Sequence, residues 1–468
     1  MLFNSIIFLF FLVLFFSIWG FVKKRDFPRW ITLCVFSFIF YAWWDWRFLF
    51  LIIFSGFIDY LAGLLMQSVP KKKKLWLVVS LVMNLGSLSI FKYSSFIAST
   101  FDALFSKMSI ETHLYANIPE FALILPVGIS FYTFQSMSYT IDIYRGRLLP
   151  TKNVFHFFAY LSMFPQLVAG PIIRAKDLLK QLAQDREVSL LAFWHGLKLI
   201  SLGFFQKIVL ADNIGVLVNN AFNSPESFVG GAFWWLATIG FALQIYFDFS
   251  GYSLIARGLA KWMGYHFKMN FNHPYLATSL KQFWQRWHIS LSTWFRDYIY
   301  IPMGGSRKNL FLSHLFMWST MLISGIWHGA AFTFIVWGGI HAFFLSFERI
   351  GKKYLRRIPS ALMYGFTMFQ VLIAWLFFRA SSLAEAFNII GNLFDFSQSN
   401  FYWMEFENSY YFIVIAVVFE CLYLLTLKSS WIRRLYNCSL VQSVEVAMLI
   451  VACLFYRGPE QAFIYFQF

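Results

Sequence analysis

The middle of the chain reads Trp284-Gln285-Arg286-Trp287-His288-Ile289-Ser290-Leu291-Ser292-Thr293-Trp294-Phe295-Arg296-Asp297, then Gly304-Gly305-Ser306-Arg307, then Gly325-Ile326-Trp327-His328-Gly329-Ala330. His288 and His328 each follow a tryptophan and lie among apolar and aromatic residues. A neutral imidazole is the side chain best suited to moving protons near pH 7. The two histidines therefore suggest acid/base chemistry inside an apolar scaffold.

The composition indicates a membrane protein. Of the 468 residues, 59% are hydrophobic and 13% are charged, whereas roughly 25% are charged in ordinary soluble domains. The first apolar run, residues 2–22, has no basic residues before it and no small-residue cleavage site after it, which predicts a retained helix and not a signal peptide. The net charge of +16 then reflects loop charges that set orientation, and not nucleic-acid binding.

Apolar runs that approach the length of about 20 residues needed to cross a bilayer predict twelve transmembrane helices. They lie at about 2–22, 29–44, 48–67, 75–98, 121–143, 188–210, 231–249, 310–327, 330–348, 361–379, 410–427 and 440–456. Two further stretches, 153–170 and 280–302, are interrupted by proline, glycine or charge and predict re-entrant or interfacial elements. The predicted fold class is an all-α polytopic membrane protein.

The distribution of basic residues supports this topology. If both interrupted stretches return to the side on which they start, 31 of the 38 lysines and arginines fall on one side. Five fall opposite, namely Arg47, Lys92, Lys107, Arg379 and Arg457. Because basic loops face the cytoplasm, both termini are predicted to be extracytoplasmic.

The sequence shows neither an internal repeat nor a segment long enough for a soluble domain. Residues 1–468 are therefore predicted to form a single integral-membrane domain, with N-terminal helices in 1–150, a catalytic core in 151–350 and C-terminal helices in 351–468. The four cysteines form no CxxC pair, so we expect neither a disulfide framework nor a metal site.

The stretch 280–302 fits one amphipathic helix at about 100° per residue. His288 lies on the edge of its apolar stripe, and Arg286 and Arg296 lie on the polar side. The stripe itself consists of Trp284, Trp287, Leu291, Trp294, Phe295 and Tyr298. Two interpretations of His288 stay open: a functional imidazole, or a structural one that donates to a backbone carbonyl.

His328 lies between Gly325 and Gly329, whose missing side chains let another part of the chain or a ligand approach the ring. Ionisable groups at membrane depth are costly and usually line a cavity or a pathway, which favours a functional role for His328. His341 falls about 220° further round the helix, so it is predicted to be structural.

Other polar residues are less informative. The segment 164–174 has a proline on each side of a glycine, and it predicts either the wall of a funnel or a plain helical hairpin. Asp248 ends a predicted span, where it could orient an imidazole, although pairing with an arginine is the commoner arrangement. Lys207 and Glu420 look isolated, and His273 is predicted to be exposed and structural. Because no evenly spaced series of charges marks an ion path, the pattern weakens a transporter interpretation.

Together these segments resemble the membrane-bound O-acyltransferase (MBOAT) family, in the bacterial branch that holds the membrane subunits of alginate and peptidoglycan O-acetylation systems. The motifs are Trp287-His288-Ile289-Ser290, Trp294-Phe295-Arg296-Asp297 and Trp327-His328-Gly329. The resemblance extends through residues 164–174, 246–264, 271–306, 324–330 and 457–468. It implies a ring of helices around a central funnel, a catalytic histidine at His328 and a second recurrent histidine at His288.

The resemblance implies an acyltransferase of the bacterial cytoplasmic membrane that moves an acetyl group from a cytoplasmic thioester towards a cell-envelope polysaccharide, peptidoglycan or alginate-like. His328 would act as general base, and His288 would orient the donor or stabilise negative charge. The donor, acetyl-CoA or an acylated carrier, would dock on basic residues that include Arg307 and Lys308. The predicted donor-binding residues are Arg286, Arg296, Asp297, Trp287, Trp327 and Asn272.

We expect no bound cofactor. The implied partners are membrane lipids and a periplasmic serine-esterase-like O-acetyltransferase, which this chain does not encode. Two alternatives remain. The first is a transporter or channel for an acyl donor without chemistry, which the lack of a soluble catalytic domain would suit. The second is a D-alanyl or lipid O-acyltransferase, which the bacterial resemblance makes the weaker of the two.

Overall fold

The computed structural model describes residues 1, 3–167, 170–397 and 401–464. All regular elements within these ranges are helices, which confirms the all-α fold class. The chain divides into two compact units, Met1–Gly196 with Leu259–Phe267 and Leu197–Gly258 with Lys268–Phe468. Two parts of the predicted motifs, residues 168–169 of the proline-glycine segment and 465–468 of the C-terminal tail, lie outside the described residues.

The first unit contains the N-terminal helices. They are α1 (Ile6–Val22), α2 (Asp26–Ala42), α3 (Arg47–Ser68), α4 (Lys73–Leu88), α5 (Ser94–Lys107), α6 (Glu120–Leu123), α7 (Ile129–Tyr144), α8 (Val154–Leu161), α9 (Phe164–Leu167) and α10 (Ala175–Leu182). Buried polar groups connect α3, α4 and α7. Asn84 Nδ2 donates to Asp59 Oδ2 at 2.7 Å, and the Ser136 hydroxyl donates to the same carboxylate. These partners satisfy polar atoms that are otherwise costly to bury.

The predicted crossing at 121–143 is interrupted. Helix α6 ends at Leu123, and α7 begins only at Ile129. Pro126 has no backbone N–H, and Gly128 has a φ of 75°, in the left-handed region that a continuous helix does not use. Local backbone chemistry therefore divides an apolar run that looks continuous by hydropathy.

The second unit contains the remaining helices, and α11 and α13 run from one unit into the other. The helices are α11 (Leu190–Phe204), α12 (Asp212–Asn223), α13 (Gly231–Trp262), α14 (Leu280–Arg286), α15 (Ile289–Phe295), α16 (Ile301–Met303), α17 (Leu310–His328), α18 (Phe332–Ile350), α19 (Lys352–Leu355), α20 (Ser360–Arg379), α21 (Leu383–Leu393), α22 (Trp403–Lys428), α23 (Ser430–Tyr436) and α24 (Ser439–Phe455). Turns of π-helix, Phe205–Ala211 and Arg296–Tyr300, join α11 to α12 and α15 to α16.

Within the described residues, seven helical segments are long and apolar enough to cross a membrane. They are Arg47–Ser68, Pro70–Lys107, Leu190–Asn223, Gly231–Trp262, Leu310–His328, Ser360–Arg379 and Trp403–Lys428. Helices α23 and α24 meet at a bend of 69°, and the number of candidates is eight when this bent pair is taken as one span. Each of these corresponds to a predicted span, so the multi-pass character is confirmed, while the count of twelve stays a prediction.

Candidate active site

His328 is the last residue of α17. The helix begins with a cap in which Asn309 Oδ1 accepts from the Leu312 N–H at 2.9 Å, and it ends where Gly329 becomes extended. The flanking glycines admit α18, because a Cβ added at Gly325 would collide with the carbonyl oxygen of Phe334. The chain that approaches His328 is therefore the helix that directly follows it.

Three aromatic rings surround the imidazole of His328. Trp327 and Trp337 each lie 4.9 Å from it and Phe378 lies 5.3 Å away, centroid to centroid, with interplanar angles of 70–80°. Edge-to-face contacts of this kind are favourable and fix the orientation of each ring. His328 is 4% exposed, so the ring is held in one position away from bulk water.

His288 lies at a break between two short helices. Trp287 is extended, with φ −96° and ψ 126°, and His288 is left-handed, with φ 41° and ψ 55°. The prediction of one continuous amphipathic helix across 280–302 is therefore wrong. The chain forms α14 and α15, followed by a π-turn and α16, and His288 caps the N-terminus of α15.

The break is stabilised by Asn270, which precedes it in the chain. Its side-chain Oδ1 accepts from Ser290 N at 3.1 Å and from Ser290 Oγ at 2.9 Å, while its backbone carbonyl accepts from Ile289 N at 2.8 Å. Two of these bonds satisfy backbone N–H groups, of Ile289 and Ser290, that a continuous helix would have paired internally. The bonds from Asn270 thus compensate for the unusual backbone at His288.

The tautomer of His288 follows from its hydrogen bonds. The Leu291 N–H donates to His288 Nδ1 at 3.3 Å, and a backbone N–H can only donate, so the proton of the neutral ring is on Nε2. The ring is fully buried and lies 4.6 Å from Phe249 and 6.0 Å from Phe271. His288 lies outside the seven candidate spans, and burial lowers its pKa to about 3, so it is neutral at physiological pH.

A line of aromatic contacts connects the two histidines. Its members are, in order, His328, Trp337, Trp375, Trp287, Phe271 and His288. Successive ring centroids are 4.9, 6.4, 5.0, 5.0 and 6.0 Å apart. The structure thus brings His288, His328 and the predicted donor residue Trp287 into one contiguous aromatic cluster.

His341 belongs to the same cluster, which the sequence did not reveal. Its ring lies 4.7 Å from Trp337 and 5.0 Å from Trp284, so it shares Trp337 with His328. Among the described residues, His341 Nδ1, Trp337 Nε1, Trp375 Nε1 and the Gln370 side-chain amide are buried without a hydrogen-bond partner. Polar atoms that are buried in this state are costly. The structural role predicted for His341 stays a prediction.

The other predicted donor-binding residues lie in two places. Asn272 and Arg286 are paired, since Asn272 N donates to the Arg286 carbonyl at 2.9 Å and Arg286 Nη1 donates to the Asn272 carbonyl at 3.4 Å. Trp327 is 3% exposed and contacts Phe295 of α15 as well as His328. Asn272 and Arg286 therefore lie beside the turn before His288, and Trp327 lies beside the ring of His328.

Arg296 and Asp297 are placed differently. Arg296 Nε donates to Asp297 Oδ1 at 2.7 Å, and the Arg296 side chain is 57% exposed. Arg307 and Lys308 are also exposed. The basic groups of Arg296, Arg307 and Lys308 are thus open to solvent. Anionic groups of a soluble donor can reach them without entering the aromatic cluster.

A buried ion cluster corrects the interpretation of Lys207 as isolated. Lys207 Nζ lies 2.7 Å from Asp212 Oδ1 and 3.0 Å from Asp248 Oδ1. Asp248 is therefore paired with a lysine and not with an arginine. Its other oxygen, Oδ2, accepts from the N–H of Ile464 at 2.7 Å, which attaches the C-terminal tail to α13. Since the next residue, Phe249, contacts His288, this cluster supports one wall of the histidine site.

His273 is mostly buried, contrary to the prediction that it is exposed, because its side chain is only 20% exposed. Its Nδ1 lies 2.8 Å from Glu420 Oε2, so the interpretation of Glu420 as isolated is also wrong. The His273 ring stacks on Tyr423 at 3.4 Å, and the Tyr246 hydroxyl donates to the other carboxylate oxygen of Glu420 at 3.3 Å. These contacts join the turn before α14 to α22 and α13.

Comparison with known proteins identifies the family. The family model for "MBOAT, membrane-bound O-acyltransferase family" matches residues 147–387, a range that includes both histidines. The chain belongs to this family. It is therefore a membrane-bound O-acyltransferase, with the aromatic histidine cluster inside the matched region.

Several curated relatives extend this MBOAT assignment. A probable alginate O-acetylase of Pseudomonas putida is 39% identical over 403 residues, which cover 85% of this chain and 81% of the relative. A peptidoglycan O-acetyltransferase of Helicobacter pylori is 33% identical over 431 residues, with 83% and 79% covered. A teichoic acid D-alanyltransferase of Bacillus subtilis is 29% identical over 264 residues, with 53% and 66% covered.

Proposed function

We propose that this chain moves an acetyl group from a cytoplasmic thioester across the bacterial cytoplasmic membrane for O-acetylation of a cell-envelope polysaccharide, peptidoglycan or alginate-like. The observation that supports this most strongly is the position of His328, buried and caged by three rings at the end of a candidate span within the MBOAT region. The names of the Pseudomonas and Helicobacter relatives suggest the acetyl group and the class of acceptor.

His328 acts as general base in the proposed reaction. It accepts the proton of the acceptor hydroxyl while the hydroxyl oxygen attacks the thioester carbonyl. The tetrahedral intermediate then collapses, the C–S bond breaks, and the proton passes from the imidazolium to the departing thiolate. The products are an O-acetyl ester and a free thiol.

His288 assists from the far end of the aromatic line. Because its proton is on Nε2, it can donate a hydrogen bond to the donor or to the developing oxyanion, in a site that excludes water. For both histidines to serve one reaction, the donor must extend along the line of rings. The proposal thus includes the ring of helices around a funnel, with a membrane that is thin at its centre.

The donor, acetyl-CoA or an acylated carrier, docks on basic residues in both places, Arg286 beside the turn before His288 and the exposed Arg296, Arg307 and Lys308, where guanidinium groups suit phosphates. These residues are on the cytoplasmic side in the topology inferred from loop charge, with both termini outside. On the outer side, the serine of a periplasmic serine-esterase-like partner attacks this O-acetyl ester, which frees the acceptor hydroxyl, and the partner then completes transfer to the polymer.

The test uses full-length protein in liposomes with isotopically labelled acetyl-CoA and with glycerol added as the acceptor hydroxyl. We expect thioester cleavage by wild-type protein, its loss in His328→Ala and a partial loss in His288→Ala. His314→Ala is a matched control, because His314 is on the same helix and contacts Ser346 instead of the aromatic cluster. Uptake of the label without cleavage, or full cleavage by His328→Ala, would overturn the proposal.

The acceptor is tested in cells. A deletion strain complemented with wild-type or His328→Ala protein is compared by mass spectrometry of ester-linked acetate in each envelope polymer. The polysaccharide is identified as the polymer whose ester-linked acetate is restored by wild-type protein and not by His328→Ala. Loss of D-alanyl esters or of lipid acylation, with O-acetyl groups unchanged, would transfer the assignment to another acyl group or acceptor.

A further inference from the structure

A cavity that neither His288 nor His328 lines lies where α18 ends and α20 begins. Its volume is about 720 Å³. Four basic side chains line it: Lys281 of α14, Arg349 of α18, Lys352 of α19 and Arg356 just after α19. This cationic cavity is formed by several helices of one compact unit, and the proposed acetyl transfer does not use it.

The charge of the cationic cavity is strongly one-sided. Of the side chains that line it in the described chain, Glu348 alone is acidic. Its carboxylate already accepts from the backbone N–H of Leu280 at 2.6 Å and of Lys281 at 3.4 Å, where α14 begins. Four basic side chains against this one carboxylate leave an excess of positive charge for an external anion.

One of the cations is held in place. Arg349 Nη1 donates to Ser313 Oγ at 2.8 Å, and Ser313 Oγ also lies 3.2 Å from the Tyr300 hydroxyl. A guanidinium fixed by one bond keeps its other N–H groups available in a defined direction. Lys352 and Arg356 are exposed at the rim, where longer side chains can close over a ligand.

Part of the wall of the cationic cavity is apolar, and the cavity lies at the edge of a candidate span. Leu345, Leu355 and Met363 line it, and α20, which starts at Ser360, is one of the seven membrane-crossing candidates. Immediately outside, Ile350 is 70% exposed. A ligand there would meet positive charge at one end and apolar surface along its length.

We propose that the cationic cavity binds the phosphate headgroup of an anionic phospholipid, whose acyl chains lie against the apolar part of the wall and the neighbouring membrane layer. Basic pockets between membrane helices are suited to such headgroups. The apolar part of the wall, next to a candidate span, favours a lipid over the phosphates of a soluble donor. This inference does not depend on the proposed acetyl transfer. Because Lys281 belongs to α14, the lipid would also touch the helix that ends before His288.

The test is native mass spectrometry of the full chain in mild detergent, titrated with phosphatidylglycerol or with phosphatidylcholine of the same acyl chains. We expect wild-type protein to retain phosphatidylglycerol preferentially. The double variant Lys352→Gln/Arg356→Gln should weaken that retention about thirtyfold, since each basic group near an anionic lipid contributes about 1 kcal/mol. The control Lys353→Gln/Arg357→Gln removes the same charge from exposed neighbours that do not line the cavity, and it should retain wild-type binding.

Two results would overturn the inference. In one, wild-type protein shows no preference for phosphatidylglycerol, or the two double variants lose it equally, so that the effect is nonspecific charge. In the other, coenzyme A binds in a parallel titration and only Lys352→Gln/Arg356→Gln abolishes it, which would assign the cavity to the donor. Lys281→Gln, on a different helix, repeats both titrations if the double variant cannot be purified.

Discussion

The indole of Trp337 meets the imidazole of His328 edge to face, with ring centroids 4.9 Å apart and an interplanar angle of 80°. Trp337 is fully buried, so this contact is independent of solvent. A general base must be held close to one geometry, because small misplacements lower the rate of proton transfer considerably. In the proposed reaction, Trp337 therefore positions the imidazole of His328.

Trp337→Phe should fold but leave the imidazole less restrained. We expect kcat for acetyl transfer to fall about tenfold, with little change in the KM for the thioester, because geometry and not binding is altered. The comparison is Trp318→Phe, a tryptophan on α17 whose indole donates to Ser346 at 2.9 Å. Unchanged kcat in Trp337→Phe, or an equal fall in both variants, would argue against a positioning role.

The ion cluster of Lys207, Asp212 and Asp248 should be essential for stability. Lys207→Met leaves two buried carboxylates unpaired, and removing one partner of a buried pair typically costs about 3–5 kcal/mol. A triple variant with Lys207→Met, Asp212→Asn and Asp248→Asn should recover most of that loss, since no charge then remains buried. The unfolding temperatures of wild type, Lys207→Met and the triple variant are compared in detergent.

The control for this cluster is an exposed pair at a similar distance. Lys24 Nζ lies 2.8 Å from Glu187 Oε1, with the two side chains 62% and 80% exposed. Lys24→Met should leave the unfolding temperature almost unchanged, because water screens such pairs. Equal shifts for Lys24→Met and Lys207→Met would show that the buried cluster has no special role.

Features encoded locally could be predicted from the sequence. Span length and apolarity depend only on neighbouring residues, so seven predicted crossings agree with long helices. The Trp-His motifs likewise indicated the family and both histidines. The helix break at His288 could not be predicted in this way. The apolar stripe stays in phase across the break, and the residue that stabilises the break, Asn270, lies outside the stretch.

Two other features were also missed for geometric reasons. Lys207 and Asp212 are five residues apart, a spacing that pairs poorly in an α-helix but faces the same side in the π-turn Phe205–Ala211. The angle assigned to His341 assumed one helix from His328 onward. In fact α17 ends at His328 and α18 begins at Phe332, so helical angles do not carry across the turn.

Asn270 should be needed to position His288. Asn270→Ala removes the acceptor for the Ser290 backbone N–H and hydroxyl, and an unsatisfied buried group costs about 1–3 kcal/mol. We expect lower thermal stability together with a loss of activity like that of His288→Ala. Combining the two substitutions should then give little further loss of activity. Asn388→Ala, at an exposed position of α21, provides the comparison. Additive losses in the combined variant would separate Asn270 from His288.

The burial of His288 predicts how stability depends on pH. Burial lowers its pKa from the ordinary 6.5 to about 3, so between these values the unfolded chain binds a proton that the folded protein does not. The contribution of His288 to stability is therefore complete above pH 6.5 and declines as pH falls, by about 1.4 kcal/mol per pH unit. His288→Gln cannot titrate, so its stability should lack this dependence on pH.

The measurement is the difference in unfolding temperature between wild type and His288→Gln from pH 7.5 to pH 5 in one detergent. All other titrating groups are the same in the two proteins. That difference should shift steadily against wild type below pH 6.5. A constant difference would mean that the folded ring protonates as freely as the unfolded one, which is incompatible with a buried His288.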